Sequence, residues 1–501
     1  MEHVKGEWAG SRITLEDWQI FIYASGWGWL RRDDGFRRYR EMYVEVPRKN
    51  AKSTMAAIAG HYMAWADGEP GAEVYAGACT EAQAWEVFEP ALWMARNDDE
   101  FRNHFGIHVG ARIMSCMDTM SKFKPLIGKP KKGGSPHLAI VDEYHEHPTK
   151  HLFDTMQTGM GARRQPMMLT ITTGGTNLSA PCYAKRNEAI KVLGGLLPND
   201  KFFAIIYTID EKGENGVGDD WTDPESWIKA NPNYGVSVKK EFLDDQRQKA
   251  IAIASEQNDI KCWHLNIWSG ASKSWINLEQ WKACARPLDL QEFLRDDCWV
   301  GVDLASKIDL TSMMFLFRRM IGETAKYFLF SKHYIAEETA KLPGNEHWRR
   351  WIAQGYLKAT PGYRTDYRYL KDDLLEMNDW LIIKGLGYDP HETEMLMQEV
   401  RDDVAFDCIE ITQAPSQMSE PMKEFEAIYT NGDLQYDGNP LTTWAASNVV
   451  LRSTKTKKYY PGKEFPENKI DPIVAAIMAL KLAMAAEDER SVYEERGLLT
   501  V

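Results

Sequence analysis

The sequence predicts an α/β protein of two domains, and three observations carry the prediction. Apolar strand-like segments alternate with helix-like ones through the first half, the pattern of a mostly parallel sheet covered by helices. The second half opens on three strand-like runs joined by short connections, the pattern of an antiparallel meander. Between them lie a Gly- and Asp-rich segment, 211–227, read as a surface loop, and a long helical stretch, 239–264. The boundary is placed near 255–275, giving domains 1–260 and 261–501.

In the first half, YVEVP (43–47) reads as a strand and STMAAIAGHYMAWA (53–66) as a helix. AEVYAGA (72–78) is a second strand, followed by the helix TEAQAWEVFEPALWMA (80–95). HLAIVDE (137–143) and MMLTITT (167–173) are two more short apolar strands. In the second half, CWVGVDLA (298–305), SMMFLFRR (312–319) and KYFLFSKHYI (326–335) form the meander. LIIKGLGYDP (381–390) and DCIEITQ (407–413) read as later strands, and IDPIVAAIMALKLAMAAEDE (470–489) as the last helix.

At 501 residues and roughly 100–200 residues per domain, the chain fits two to four domains with room for two large cores. No apolar run approaches the roughly 18 residues of a membrane span, and MEHVKGEWAG lacks the apolar stretch of a secretory signal. The seven cysteines, at 79, 116, 182, 262, 284, 298 and 408, form no C-x-x-C pair. Neither a zinc site nor a disulfide framework is expected, and a reducing cytoplasm fits. The formal net charge of −13 argues against a protein that coats nucleic acid, though local basic patches and transient DNA contacts remain compatible with it.

VPRKNAKST (46–54) lies between a strand and a helix and approximates a phosphate-binding loop, with Lys52 and Ser53 in the functional places. Backbone N–H groups at a helix N-terminus bind phosphate. The loop residues Arg48, Lys49, Asn50, Ala51, Lys52, Ser53 and Thr54 are therefore the candidate nucleotide contacts, Lys52 reaching the terminal phosphates and Ser53 ligating Mg²⁺. The match is degenerate: Val46 and Ala51 stand where the pattern has glycine, and the competing reading is a solvated basic helix start.

HLAIVDEYHEH (137–147) ends an apolar strand in Asp142-Glu143, the Walker B pattern. Asp142 would hold Mg²⁺ through water and Glu143 would polarise the attacking water. The bland alternative is a strand running into an acidic helix start. His145, His147 and His151 invite a metal reading, but H-E-x-x-H spacing is absent and a surface helix or loop is preferred. LTITTGGT (169–176) ends a strand in hydroxyls suited to sensing the γ-phosphate; alternatively it is an ordinary turn whose glycines supply positive φ. Gln19 carries an amide able to pair with an adenine edge.

Asp303 interrupts an apolar strand, where a carboxylate is costly unless paired or bound to a cation. Asp389 ends another strand and Asp471 begins the last helix, so the three can converge on divalent cations. Asp389 before Pro390 also reads as a turn residue, and Asp471 before Pro472 as a helix cap.

Taken in order, VPRKNAKS, AGACTEAQA, AIVDE, TITTGGT, WIKANPNYG, HLNIW, GVDLA, GYDP and KIDPIVAAIMAL resemble the large terminase subunits of tailed bacteriophages, in the branch associated with HK97-like phages. The resemblance spans about residues 10–485. It implies a P-loop, additional-strand ATPase domain followed by an RNase H-like nuclease domain. The implied activities are ATP-driven translocation of double-stranded DNA into a procapsid and metal-dependent cutting of concatemeric DNA. ATP with Mg²⁺, and Mn²⁺ at the nuclease site, are the implied cofactors. A portal protein, a small terminase subunit and further copies in a ring, usually a pentamer, are the implied partners, with no membrane. The implied location is the host cytoplasm, transiently on the procapsid and not in the mature virion. Residue by residue, Lys52 and Ser53 match the family's P-loop and Arg48 its P-loop arginine. Asp142 and Glu143 match Walker B, Thr172, Thr173 and Gly174 the coupling motif, Gln19 the adenine contact, and Asp303, Asp389 and Asp471 the nuclease acids. A P-loop helicase or translocase without nuclease would leave Asp303 unexplained, and a structural portal or capsid protein would leave the phosphate-binding pattern unexplained. Arg112, Arg163 and Arg164 are candidates for a trans-acting arginine finger.

Overall fold

A computed structural model describes residues 1–126, 133–210, 218–270, 274–304, 309–342, 345–390, 394–454, 458–465 and 468–495. The chain divides into two compact units, Met1–Ser269 and Gly270–Val501. Part of the Gly- and Asp-rich segment, 211–217, lies outside the described residues, and the helix Pro224–Ala230 opens within its remainder.

The first unit holds an eight-stranded sheet. Its strands are β1 (Glu41–Glu45), β2 (Glu73–Gly77), β3 (Ile107–Val109), β4 (Met114–Cys116), β5 (Ser121–Leu126), β6 (Leu138–Asp142), β7 (Met167–Thr172) and β8 (Phe202–Ile206). The spatial order is β3-β4-β5-β2-β6-β7-β1-β8, and every pairing from β5 to β8 is parallel. β7 lies between β1, which feeds the phosphate loop, and β6, which ends in Asp142. That inserted neighbour is the additional strand the resemblance implies. It sets the loop, the Walker B carboxylates and the Thr172–Thr173 strand end side by side along one edge.

β6 and β7 are buried along their whole lengths, as strands covered on both faces must be. One face packs a core around Met42, Val44, Phe88, Phe123 and Ile140, and the other a core around Tyr43, Val141, Tyr144 and Met168. The antiparallel strands β3–β5 and the edge strand β8 extend the sheet beyond the four strands read from sequence. The helical stretch 239–264 is two helices, Lys240–Ala252 and Ala254–Leu265, broken where Ile253 adopts extended backbone.

The second unit is built on β9 (Asp297–Asp303), β10 (Thr311–Ile321), β11 (Thr324–Ala336), β12 (Lys358–Thr360), β13 (Ile382–Tyr388), β14 (Asp407–Glu410) and β15 (Leu434–Tyr436). The order β12-β11-β10-β9-β13-β14 places an antiparallel meander, β9–β11, beside the parallel strands β13 and β14, with β15 on β11. This meander with two parallel strands on its first member is the RNase H-like arrangement. A separate hairpin joins β16 (Val449–Ser453) and β17 (Tyr459–Lys463).

The helix Asp471–Glu495 lies across β9 and β10. Its apolar first turns, Ile473 to Leu480, are fully buried. Gly301 permits the approach: a Cβ there would fall 1.8 Å from the carbonyl oxygen of Ala475. No helix among the described residues is long and apolar enough to cross a membrane.

Candidate nucleotide cleft and candidate acidic site

The phosphate loop keeps the backbone of a glycine-rich loop without its glycines. Lys49 and Ala51 have φ of 70° and 58°, and Ala51 caps the helix Lys52–His61 from the left-handed region. A non-glycine residue there costs about 1 kcal/mol. The loop is held by neutral amides. Fully buried Asn50 donates to the carbonyls of Pro47 (3.1 Å) and Arg48 (3.3 Å) and to Asn231 Oδ1 (2.9 Å), while its own Oδ1 accepts from the Asn233 N–H (3.0 Å). Asn231 is anchored in turn on the Trp227 and His264 carbonyls, at 2.8 and 2.9 Å. Arg48 stacks its guanidinium over the Trp263 ring at 4.5 Å.

A cleft of about 730 Å³ opens over this loop. Gln19, Arg48, Lys49, Ala51, Lys52, Ser53, Thr54, Asp142 and Glu143 all line it, so the structure brings together most of the residues proposed from sequence for nucleotide binding. Asn50 supports the loop from beneath. Gln19 has its Oε1 committed to the Glu16 N–H in a helix-capping pair, so an adenine contact falls to its NH₂ end.

Lys52 is buried and donates to the Val46 carbonyl at 3.1 Å. Burial lowers its pKa, and the charges of Glu143 and Asp142 oppose that shift. Burial, reinforced by Glu143, raises the Asp142 carboxyl to about 7, against the pull of Lys52. A cation beside Asp142 would relieve that cost, which is the chemistry expected of a Mg²⁺ position near Ser53.

The coupling segment corrects one sequence reading. Gly174 and Gly175 are not among the positive-φ glycines. They are small because neighbours crowd them: a Cβ on Gly174 would lie 3.0 Å from Asn266 Cα, and one on Gly175 would lie 2.7 Å from the Trp268 ring. The Gly174 N–H donates to Asn266 Oδ1 at 2.8 Å. WIKANPNYG and HLNIW thus contain Asn231, Asn233, Asn266 and Trp268, which clamp the loop and the coupling segment; sequence reasoning gave these residues no role. The surface reading of the histidines also fails in part. His147 is buried and bonds the Asp142 carbonyl, His145 is nearly buried beside Glu143, and only His151 is exposed.

Among the arginine-finger candidates, Arg163 is tied to Ser135, Glu69, Pro70 and Gly71 and is a structural staple. Arg164 stacks on Phe36, and Arg112 pairs with Glu81 while largely exposed.

In the second unit, Asp303 ends β9, Asp389 follows β13 directly and Asp471 opens the last helix. The parallel register pairs Tyr388 with Val302, which sets Asp389 and Asp303 at the same end of neighbouring strands. Asp303 is buried and Asp471 is half-buried. The Asp303 carboxyl is pushed well above its usual range by burial, then by Asp471, Asp389 and Asp309. Asp471 is raised to about 7 by burial and Asp309, with Lys469 and Lys463 pulling the other way. Asp309, not singled out from sequence, pairs with Lys469 at 2.7 Å. Gln413 donates to Asp303 Oδ1 at 3.4 Å. Among the described residues, no three His, Cys, Asp or Glu side chains are closed around a metal-sized position. The acids share one end of the sheet without forming a finished ligand set. Their mutual repulsion is nonetheless the electrostatics that a divalent cation relieves.

A phosphate loop and Walker B pair on an additional-strand sheet, and clustered carboxylates on an RNase H-like sheet, define a class: an ATPase joined to a metal-dependent nuclease. The terminase large subunit ATPase-domain family model matches residues 17–191, and the terminase large subunit endonuclease-domain model matches residues 197–487. The chain belongs to the terminase large subunit family, the motor and endonuclease of phage DNA packaging. Protein YmfN of Escherichia coli is 42% identical over 368 residues, covering 71% of this chain and 79% of that protein. The terminase large subunit of Enterobacteria phage HK97 is 22% identical over 448 residues, covering 88% and 86%. The crystal structure of the HK97 bacteriophage large terminase aligns over 94% of this chain and 96% of that one, at 20% identity and a TM-score of 0.47.

Proposed function

We propose that the cleft over residues 46–54 hydrolyses ATP with Mg²⁺ held near Ser53 and Asp142, Lys52 on the terminal phosphates and Glu143 polarising the attacking water. Thr173 senses the γ-phosphate, and Gln19 and Arg48 complete nucleotide binding. The ATPase motor and its linker subdomain are assigned to residues 1–260 and the nuclease to 261–501. There Asp303, Asp389 and Asp471 hold Mg²⁺ or Mn²⁺, which would activate water and stabilise the leaving oxygen at a DNA phosphodiester. The chain works in the host cytoplasm as a ring, probed first as a pentamer, docked on the portal protein of a procapsid. It is helped by a small terminase subunit and leaves before the virion matures. The observation that carries the reading is the convergence in one cleft of Lys52, Ser53, Asp142 and Glu143, four residues named from motif alone.

The test is metal demand at the acids. Mn²⁺ titrated by calorimetry into nucleotide-free protein should give one more binding event in wild type than in Asp303→Asn/Asp471→Asn. Wild type should cut double-stranded DNA only with the metal present. Equal stoichiometry and heat in both proteins would remove the metal assignment and leave Asp471 as a helix cap and Asp389 as a turn residue.

A further inference from the structure

His145 stands two residues beyond Glu143, on the short turn Tyr144–Glu146 that starts from the left-handed backbone of Glu143 (φ 45°). Its side chain is 9% exposed. Its backbone N–H donates to Thr172 Oγ1 at 3.1 Å. Ring Nδ1 lies 3.1 Å from the same hydroxyl, 3.3 Å from Glu143 Oε2 and 3.4 Å from Thr173 Oγ1. Nε2 lies 3.3 Å from Glu146 Oε1.

Glu143 Oε2 is buried and makes no hydrogen bond among the described residues, and the imidazole lies 3.3 Å from it. Behind the ring, Gly175 leaves no slack: a Cβ there would lie 3.0 Å from His145 Cβ. One side chain therefore touches the Walker B glutamate and both threonines at the end of β7. The segment that follows is fixed through Gly174 to Asn266.

We propose that His145 is a positioning residue for ATP hydrolysis, orienting the Glu143 carboxylate and tying it mechanically to Thr172 and Thr173. A change at the hydrolysed phosphate then moves the end of β7 and, through Gly174, the Asn266 clamp. This rests on the reading of Glu143 as the group that polarises water. His145 lines the same cleft, but the phosphate and base contacts are assigned to other residues, so misorienting Glu143 should lower turnover more than substrate binding.

The experiment uses the full chain with His145→Ala, His145→Asn and His145→Gln. It measures steady-state ATP hydrolysis with and without double-stranded DNA, and affinity for a non-hydrolysable ATP analogue. His145→Ala should lower kcat by about 10–100-fold, the range of a mispositioned general base, with KM and analogue affinity within about twofold. Asparagine places its amide near the Nδ1 position and should restore more turnover than glutamine, whose amide reaches toward Glu146. A structural role alone would not separate these two variants, and the pair decides the matter if the alanine variant does not fold. Wild-type kcat in His145→Ala, or glutamine rescuing as well as asparagine, overturns the proposal. Glu143→Gln is run in parallel. If it too hydrolyses ATP at the wild-type rate, the reading of Glu143 fails; if it is inactive while His145→Ala is normal, only the role of His145 fails.

Discussion

The nucleotide cleft and the acidic site solve opposite electrostatic problems. In the cleft, the phosphate loop is fixed by uncharged amides, Asn50 and Asn231, and the charges of buried Asp142 and half-buried Glu143 act on a buried cation, Lys52. At the acidic site, buried Asp303 and half-buried Asp471 lie against like charge, and Lys463 and Lys469 offset only part of it. The first site is shaped by the protein's own hydrogen bonds. The second has its frame, the strand ends and helix start, and carries a like-charge repulsion that an added cation would relieve. The comparison implies that the cleft is sensitive to loss of amides and the acidic site to loss of close backbone packing.

Packing gives the largest expected effect. Gly301→Ala drives a methyl group into the Ala475 backbone, which cannot give way as a side-chain tip would. The cost should be about 3 kcal/mol, at the upper end for overpacking, with a matching fall in the melting temperature of the second unit. A wild-type melting temperature would show that this approach does not fix the helix that starts at Asp471.

Amide loss comes next. Asn231→Ala removes two donated bonds and takes from Asn50 Nδ2 its acceptor on Asn231, leaving it only the Pro47 and Arg48 carbonyls, for a destabilisation of about 2 kcal/mol. ATP-analogue affinity should fall with it, while metal-dependent DNA cutting by folded protein should not. Loss of cutting at unchanged nucleotide affinity would reverse the comparison.

The smallest effect per residue is set by pH. His61 and His264 in the first unit are held neutral by burial, with pKa values lowered to about 4, and His333 in the second unit is lowered to about 3. A depressed pKa contributes stability that is present above the unfolded value, near 6.5, and is lost as pH falls toward the folded one. Denaturant unfolding should therefore show a loss of about 1–2 kcal/mol per histidine between pH 7 and pH 5. Replacing His333, which sits between Ser312 and Thr442, by Gln should flatten that limb for the second unit alone. An unchanged limb would mean that another group titrates there.

How much of this was legible beforehand follows from range of interaction. β1, β2, β6, β7 and the β9–β11 meander carry continuous apolar runs, and their boundaries in the structure lie within a few residues of those read from sequence. β3 and β4 are three residues each and leave too short a pattern to read. Asp303 could be singled out because a carboxylate inside an apolar strand violates the burial pattern on its own. Asn50 could be placed in the loop but not given its job, because its partners Asn231 and Asn233 lie some 180 residues away. Asp309 and His145 act through neighbours that only the folded sheet supplies. The missing loop glycines were a misleading signal, since Ala51 adopts the left-handed backbone anyway.

The most direct test of the two-site account is a crossed assay on one set of preparations: wild type, Glu143→Gln and Asp303→Asn, each assayed for ATP hydrolysis and for metal-dependent cutting of double-stranded DNA. Glu143→Gln should bind nucleotide but lose hydrolysis by about 100-fold or more while still cutting, and Asp303→Asn should hydrolyse ATP at nearly the wild-type rate while losing cutting. Folded Asp303→Asn that still cuts DNA, or Glu143→Gln that hydrolyses ATP normally, would contradict it.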